Sequence, residues 1–500
     1  MLLIGLGLPM EVSLNYNNDV YMTVDTADTG IGQELSDFFT FKVPGFQFMP
    51  SYRNKMWDGN IRLYNRRNRQ LYAGLLPYVK EFCEQREYDI TIDPDLEMED
   101  SFSLKDAKDF ADTLGMPHTP RDYQIEAFTK AVRSKRRLIL SPTASGKSLI
   151  IYLLTKWYNR PTLVIVPTIS LVHQMRGDFV DYGCDSEELY TIQGGVDKNT
   201  DNNIVISTWQ SIHKMPKAWF DRFDVVIGDE AHLYKAKSLT GILEKMPNTP
   251  YRFGFTGTLD GTHTHKLVLE GLFGAVYGVI TTKKLIDDKY LADFKIKALI
   301  LKYTDATRQV VKKYAYNEEI DFLMACPERN AFIKNLALSL KGNSLILYHQ
   351  VDKHGKVLHD LIRNSVDPNR KVFFIHGGVN GEEREQVRSL TEKENDAIIV
   401  ASYGTFSTGV NIRRLHNVIF ASPTKSRIRT LQSIGRGLRK GGADEEAGIE
   451  AKEQATLFDI ADDLTWKTRV NYTLKHFLER MKYYTGEKFP YKVHNINLKV

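Results

Sequence analysis

The chain has 500 residues, 42% hydrophobic and 26% charged, and its 67 Lys and Arg against 62 Asp and Glu leave a formal net charge of +5. That is the balance of ordinary globular protein with room for about three domains, and so mild a charge leaves any nucleic-acid affinity to local basic faces. Cys83, Cys184 and Cys326 are scattered and form no C-x-x-C pair, which disfavours a zinc ribbon, an iron–sulfur cluster or a disulfide framework, and no apolar run nears the roughly 20 residues that span a bilayer.

Residues 1–10 are apolar but lack a basic lead and a small-residue cleavage site, so they read as a short tail with Met10 as the expected functional start. Alternating runs predict strands at 12–15, 20–24 and 89–92, and amphipathic spacing predicts helices at 33–39 and 74–85, a small α+β domain over residues 1–99. Inside it, residues 46–69 interleave Arg53, Lys55, Arg62, Arg66, Arg67 and Arg69 with Tyr52, Trp57 and Tyr64. Such cations can pair with phosphates while the aromatics stack on bases or sugars. The same pattern also suits a solvated hairpin over an aromatic core, with Trp57 in that core. An acidic, then polar, linker is expected at 100–115, with a helix over 103–113.

From 116 to 283, apolar strands at 137–140, 162–166, 203–207, 224–227 and 252–256 alternate with helical stretches, the pattern of a parallel sheet covered on both faces. The first strand runs through Ser141 into Pro142, Thr143, Ala144, Ser145, Gly146, Lys147 and Ser148, then into an apolar helix. That is the layout of a phosphate-binding loop: backbone N–H groups face an anion, Lys147 reaches the β- and γ-phosphates, and Ser148 holds Mg²⁺. The match is imperfect, because Ser141 stands where the pattern asks for Gly. A second apolar strand ends in Asp229 and Glu230. A carboxylate delivered beside the loop completes the Mg²⁺ site, and Glu230 can polarise the attacking water. In this order and spacing the two motifs mark an NTP-hydrolysing site.

From 284 to 460 the alternation repeats without such a loop, with strands expected at 344–348, 371–375, 397–400, 417–420 and 456–458 and an acidic, exposed loop or helix at 445–453. A basic helical extension is expected over 461–500. There Lys475, Arg480 and Lys482 sit among Tyr472, Leu474, Phe477, Leu478 and Met481. The apolar residues are expected to pack on the motor and the lysines to face solvent.

The ordered set of motifs from about 119 to 458 resembles a superfamily 2 helicase or translocase. That resemblance implies an α/β fold with two RecA-like lobes in tandem sharing one ATP. Arg121 and Gln124 resemble the adenine-reading motif, 142–148 and 229–232 the first two motor motifs, and Thr256 and Thr258, with His232, the element that couples ATP state to nucleic acid. Gln432, Arg436 and Arg439 resemble the sixth motif. Its arginines stabilise charge on the γ-phosphoryl oxygens, and their spacing of three places them one helical turn apart. Thr168, Gly195, Thr208 and Gln210 in the first lobe, and His376, Gly377, Ser402 and Thr405 in the second, resemble contacts to the nucleic-acid backbone, with Gly409 at the nucleotide. Small and hydroxyl residues bond phosphates rather than base edges, so binding is expected to be largely independent of sequence.

The flanks carry the resemblance further. Phe38, Phe39 and Phe41, residues 57–63, the run 398–409, and the tail around Asn471 and Phe489 resemble the UvsW family of phage recombination and fork-remodelling helicases. This implies an ATP- and Mg²⁺-dependent motor on branched or duplex DNA, moving Holliday junctions, regressing forks and unwinding R-loops. The N-terminal domain would grip duplex DNA through Arg53, Lys55, Arg62 and Arg66. A monomer in the cytoplasm of a phage-infected bacterium is expected, away from membranes, with a single-strand-binding protein or a recombinase as partner. The alternatives are a conventional strand-separating DNA or RNA helicase, or the motor subunit of a restriction enzyme. Against the last stands the lack of an obvious nuclease cluster before the motor.

Overall fold

The computed structural model describes residues 11–499 apart from 98, 235, 236, 260, 380, 410, 411, 413 and 441–451; the side chains of 263, 264, 381, 382, 384, 385, 407–409 and 436 also lie outside the description. The expectations for residues 1–10, and for most of the acidic segment 445–453, therefore fall outside the described residues. Two compact units are formed, residues up to 141 with 146–279, and residues from 280 onward with 142–145.

The first unit opens with β1 (Glu11–Tyr16), β2 (Tyr21–Thr26), β3 (Thr40–Lys42), β4 (Asn60–Arg62), β5 (Gln70–Tyr72) and β6 (Asp89–Ile92). Among the described residues β5-β2-β1-β6 make a four-stranded mixed sheet and β3-β4 a separate hairpin. Period-two burial puts Val12, Leu14, Met22 and Val24 inside, against Ile31 and Leu35 of the helix Thr29–Phe38 and Val79 and Phe82 of the helix Leu76–Glu84. The helix expected between the domains is present as Leu104–Thr113, begun by a Ser103–Asp106 capping box. It is not a free spacer: Phe102 and Phe110 pack around Trp157, tilted and edge-on, with ring centroids 4.5 and 5.0 Å away.

The parallel sheet that follows contains β7 (Arg136–Leu140), β8 (Thr162–Val166), β9 (Leu189–Ile192), β10 (Ile204–Thr208), β11 (Val225–Gly228), β12 (Tyr251–Thr256) and β13 (Val276–Gly278), in the order β13-β7-β12-β11-β8-β10-β9. β8, β10 and β11 are buried along their whole length, as strands covered on both faces must be. The N-terminal domain seats directly on this lobe. A Cβ on Gly74 would lie 2.0 Å from the Glu270 carbonyl oxygen, and one on Gly271 would lie 2.8 Å from the Tyr72 ring, so two glycines let the backbones meet. Tyr72 and Tyr78 donate to Glu244 and Glu270, each at 2.6 Å.

The second unit holds β14 (Asp293–Lys302), β15 (Ser344–Tyr348), β16 (Val372–Ile375), β17 (Ile398–Ser402), β18 (Asn417–Phe420), β19 (Gln454–Asp463) and β20 (Tyr491–Asn497), again parallel, in the order β16-β17-β15-β18-β19-β14-β20. Two of these strands differ from expectation. β14 interleaves lysines with its apolar residues and buries one side over its first half, turning to two-sided burial only at Ala298, Leu299 and Leu301, and β20 is an edge strand exposed along nearly all its length, so neither gives the full-length apolar run of a central strand. The C-terminal extension is thus a helix, Tyr472–Gly486, followed by a strand of the sheet. Lys475 and Lys482 are exposed as expected, but Arg480 is fully buried, paired with Asp459 at 2.7 Å and donating to the Thr424 carbonyl.

Candidate functional site

In the first unit the residues singled out from sequence stand in a row at the C-terminal ends of neighbouring strands. Lys147 and Ser148 follow β7, Thr256 ends β12, Asp229 and Glu230 follow β11, Thr168 follows β8, Thr208 ends β10 and Gly195 follows β9. That edge is where ligands of parallel α/β sheets sit. The loop itself is strained backbone. Ala144 has φ +68° and Gly146 φ +79°, both left-handed, and a Cβ on Gly146 would lie 2.3 Å from the Gln124 amide nitrogen. Ser145 ties the loop by donating from Oγ to the Pro142 carbonyl at 2.6 Å. Lys147 opens the helix Lys147–Tyr158, whose first N–H groups face the loop.

Asp229 is held at the mouth by its own N–H, which donates to the Ile165 carbonyl at 2.9 Å, and its carboxylate accepts from the Glu230 N–H at 2.9 Å. Glu230 has φ +50°, an uncommon conformation for a residue with a Cβ and one that collects at functional sites. Lys147 Nζ lies 3.4 Å from Glu230 Oε1 and 3.7 Å from Asp229 Oδ1. Burial pushes the Asp229 carboxyl above the usual range, and the Lys147 charge opposes that shift. Beyond Glu230, His232 Nδ1 is 3.3 Å from Glu230 Oε2 and 3.0 Å from Thr256 Oγ1, and Thr256 donates to the Thr258 carbonyl at 3.0 Å. The predicted coupling residues therefore form one chain of close polar contacts from the loop lysine to the end of β12.

Gln124 stands beneath the loop. Its Oε1 accepts from the Arg121 N–H at 2.8 Å and its amide donates to the Gly146 carbonyl at 3.3 Å. Arg121 donates to the Tyr123 hydroxyl at 2.7 Å. On the same sheet edge, Thr168 caps the helix Ile169–Asp181, accepting from the Leu171 N–H, and Gln210 donates to the Pro167 carbonyl at 3.2 Å. Thr208 Oγ1 lies 2.8 Å from Ser211 Oγ, and Gly195 turns with φ +84° into open space.

In the second unit His376 follows β16 and its Nδ1 accepts from the Gly378 N–H at 3.1 Å, with Gly377 exposed between them. Ser402 ends β17 and pairs with Thr405 Oγ1 at 2.8 Å at the start of the helix Tyr403–Gly409. Gln432 is buried in the helix Arg427–Gly437. One expectation changes here. The helix ends at Gly437 with Leu438 as cap, so Arg436 lies in its last turn while Arg439 lies past it, and the two are not successive rungs of one helix. The Arg436 side chain falls outside the described residues. Lys452 carried no sequence signal, yet its buried ammonium closes this helix end by donating to the Gly437 and Arg439 carbonyls.

In the N-terminal domain the basic segment divides. Arg62 pairs with Asp58, Arg69 with Asp25 at 2.8 Å, and Arg66 donates to Gln33. Arg53 and Lys55 are exposed and form no ion pair among the described residues. Tyr64 is core, bonded to the Val24 carbonyl, and the Trp57 indole N–H donates to the Asn60 carbonyl, while Phe48 and Met56 are left 77% and 81% exposed.

Two parallel-sheet lobes in tandem, with this ordered set of motifs at their strand ends, define a superfamily 2 helicase. Family models for the N-terminal part of the DNA helicase UvsW match residues 11–93, for the res subunit of type III restriction enzymes residues 117–261, and for the conserved helicase C-terminal domain residues 328–441. The ATP-dependent DNA helicase UvsW of enterobacteria phage T4 is 35% identical over 98% of this chain and all of that protein. The crystal structure of T4 UvsW covers 97% of this chain and 99% of its own at 33% identity, with a TM-score of 0.51. A DNA 3'-5' translocase XPB2 of Sulfurisphaera tokodaii is 25% identical over 65% of this chain and 80% of its own length. The chain belongs to the UvsW family of ATP-dependent DNA helicases.

Proposed function

We propose that this helicase remodels branched DNA, migrating Holliday junctions, regressing replication forks and unwinding R-loops. The observation that carries the reading is that the likeness to T4 UvsW runs through the N-terminal domain as well as the motor, and that this domain is fastened to the first lobe through Gly74 and Gly271. A motor built only to separate strands needs no such arm.

At the ATP site, the loop 142–148 cradles the phosphates and Lys147 meets the β- and γ-oxygens, leaving the two carboxylates with which it is paired in the free protein. Ser148 and Asp229 would hold Mg²⁺; a serine hydroxyl next in sequence to Lys147 and the buried carboxylate that Lys147 approaches at 3.7 Å are oxygen donors of the kind such a hard cation takes. Bound there, the ion supplies charge neutralisation on the phosphates. Glu230 accepts the proton of the water that attacks the γ-phosphorus as the bond to the β-phosphate oxygen breaks, giving ADP and phosphate. Arg436 and Arg439, with Gln432, stabilise the charge on the γ-oxygens, and Arg121 and Gln124 border the base. Thr168, Gly195, Thr208, Gln210, His376, Gly377, Ser402 and Thr405 meet the DNA backbone, with Arg53, Lys55, Arg62 and Arg66 of the N-terminal domain gripping duplex DNA. The relation to a phage protein supports work in the cytoplasm of an infected bacterium, as a monomer met by a single-strand-binding protein or a recombinase. Among the described residues no helix is long and apolar enough to cross a membrane.

The test is ATP-driven processing of a labelled mobile Holliday junction beside a tailed duplex of equal length, with Glu230→Gln as the inactive control. Fast resolution of the junction and poor unwinding of the tailed duplex is expected. Preference for the tailed duplex would make the protein a conventional strand-separating helicase.

A further inference from the structure

The hydroxyl of Ser148 lies 2.9 Å from the phenol oxygen of Tyr182. Tyr182 caps the C-terminal end of the helix Ile169–Asp181, the helix whose other end is capped by Thr168. Its ring packs on Tyr152 of the loop helix, centroids 5.5 Å apart, and Tyr152 packs in turn on Phe179 at 5.3 Å. The phenol is therefore held by aromatic packing against the loop helix, and the serine rotor, which would otherwise turn freely, has a fixed partner.

We propose that Tyr182 is a positioning residue for Ser148: its phenol accepts the serine O–H, so that the serine lone pairs point to the place of a divalent cation beside Asp229. A hydroxyl has one proton and two lone pairs. With the proton committed to Tyr182, both lone pairs remain for the cation, and a cation on the serine oxygen strengthens the O–H donor in return. Partners of this kind, one step removed from the metal, orient its ligands. The arrangement also joins the cation ligand to the far end of the helix that Thr168 presents to the DNA side, about 20 Å away at 1.5 Å per residue over 13 residues. The inference rests on the reading of Ser148 as a cation ligand.

Tyr182→Phe keeps the ring and removes only the oxygen. Binding of a fluorescent ADP is measured with 5 mM Mg²⁺ and with EDTA, for the full chain, Tyr182→Phe and Ser148→Ala, beside thermal melts of each. In the unaltered protein Mg²⁺ tightens binding. Tyr182→Phe is expected to reduce that tightening by roughly tenfold, with metal-free binding and melting temperature little changed. Loss of the tightening in Ser148→Ala together with full tightening in Tyr182→Phe overturns the role of Tyr182 and leaves the serine reading standing. Full tightening in Ser148→Ala overturns both. Equal weakening of Tyr182→Phe with and without Mg²⁺ makes the tyrosine a packing residue only and also overturns the proposal.

Discussion

At the scale of single residues, the site is built from side chains and backbone that would be costly elsewhere. Ala144 and Glu230 both hold left-handed backbone, at φ +68° and +50°, where a Cβ is crowded by about 1–2 kcal/mol. For Ala144 the cost can be removed without touching a functional group. Ala144→Gly is expected to raise the stability of the free protein by up to about 1 kcal/mol in urea melts; a loss of stability would mean that the methyl group makes a contact worth more than the strain. Thr256 is a joint of another kind. Its hydroxyl donates to the Thr258 carbonyl and meets His232 Nδ1, and both residues are buried. Thr256→Val keeps the shape but cuts the chain that runs from Lys147 through Glu230 and His232. It is expected to cost about 1–3 kcal/mol of stability, because a buried carbonyl loses its donor. The ATP consumed per base pair unwound should rise. An unchanged ratio would show that the chain carries structure and not coupling.

At the scale of elements, what was legible in the sequence was whatever carried a strong local signal. The loop with Lys147, the acids after β11 and the fully buried strands β8, β10 and β11 could be read because phosphate chemistry and two-sided burial each constrain residue type position by position. β20 and β14 could not, because an edge and a near-edge strand are chosen by their neighbours rather than by their own hydrophobicity. Long-range partners were equally silent. Nothing local reveals that Tyr182 meets Ser148, or that the Arg480 of an apparently amphipathic helix is sealed against Asp459. The second unit hides another such partnership, between His354 and Ser422, whose Nδ1 and Oγ are 2.9 Å apart. His354 is fully buried, and burial lowers it to about 3 from the ordinary 6.5, with Arg329 and His349 adding to the shift. The unfolded chain therefore takes a proton below pH 6.5 that the folded chain refuses, so stability falls as pH drops from about 6.5 toward about 3. His354 alone is expected to remove about 1 kcal/mol between roughly pH 6.5 and 5.5. Melting curves over that range should be less steep in pH for His354→Gln than for the unaltered chain; parallel slopes would place the histidine in contact with water.

At the scale of the molecule, the feature that sets this chain apart from a bare motor is the junction between the N-terminal domain and the first lobe. Core residues of the two, from Val12 and Leu35 to Leu163 and Phe273, belong to a single apolar cluster. Across that junction Gly74 approaches the Glu270 carbonyl and Gly271 approaches Tyr72, with no room for a side chain at either place. Tyr72 and Tyr78 then bind Glu244 and Glu270, and Glu270 also accepts from the Val276 N–H at 3.0 Å. A surface so close-packed moves as one body, so DNA held as proposed at Arg53 and Lys55 would travel with the lobe that carries Lys147 and Asp229. Gly74→Val tests this, because its branched side chain must push the backbones apart while leaving every motor motif in place. The variant is expected to be cut faster by protease between residues 94 and 103, to keep its ATP turnover on long duplex DNA within about twofold, and to lose most of its junction processing. Loss of turnover together with junction processing would mean that the N-terminal domain sustains the fold of the lobe. Junction processing retained alongside rapid cleavage would show that grip on DNA needs no rigid connection, and the fixed arm would no longer support the proposed role on branched DNA.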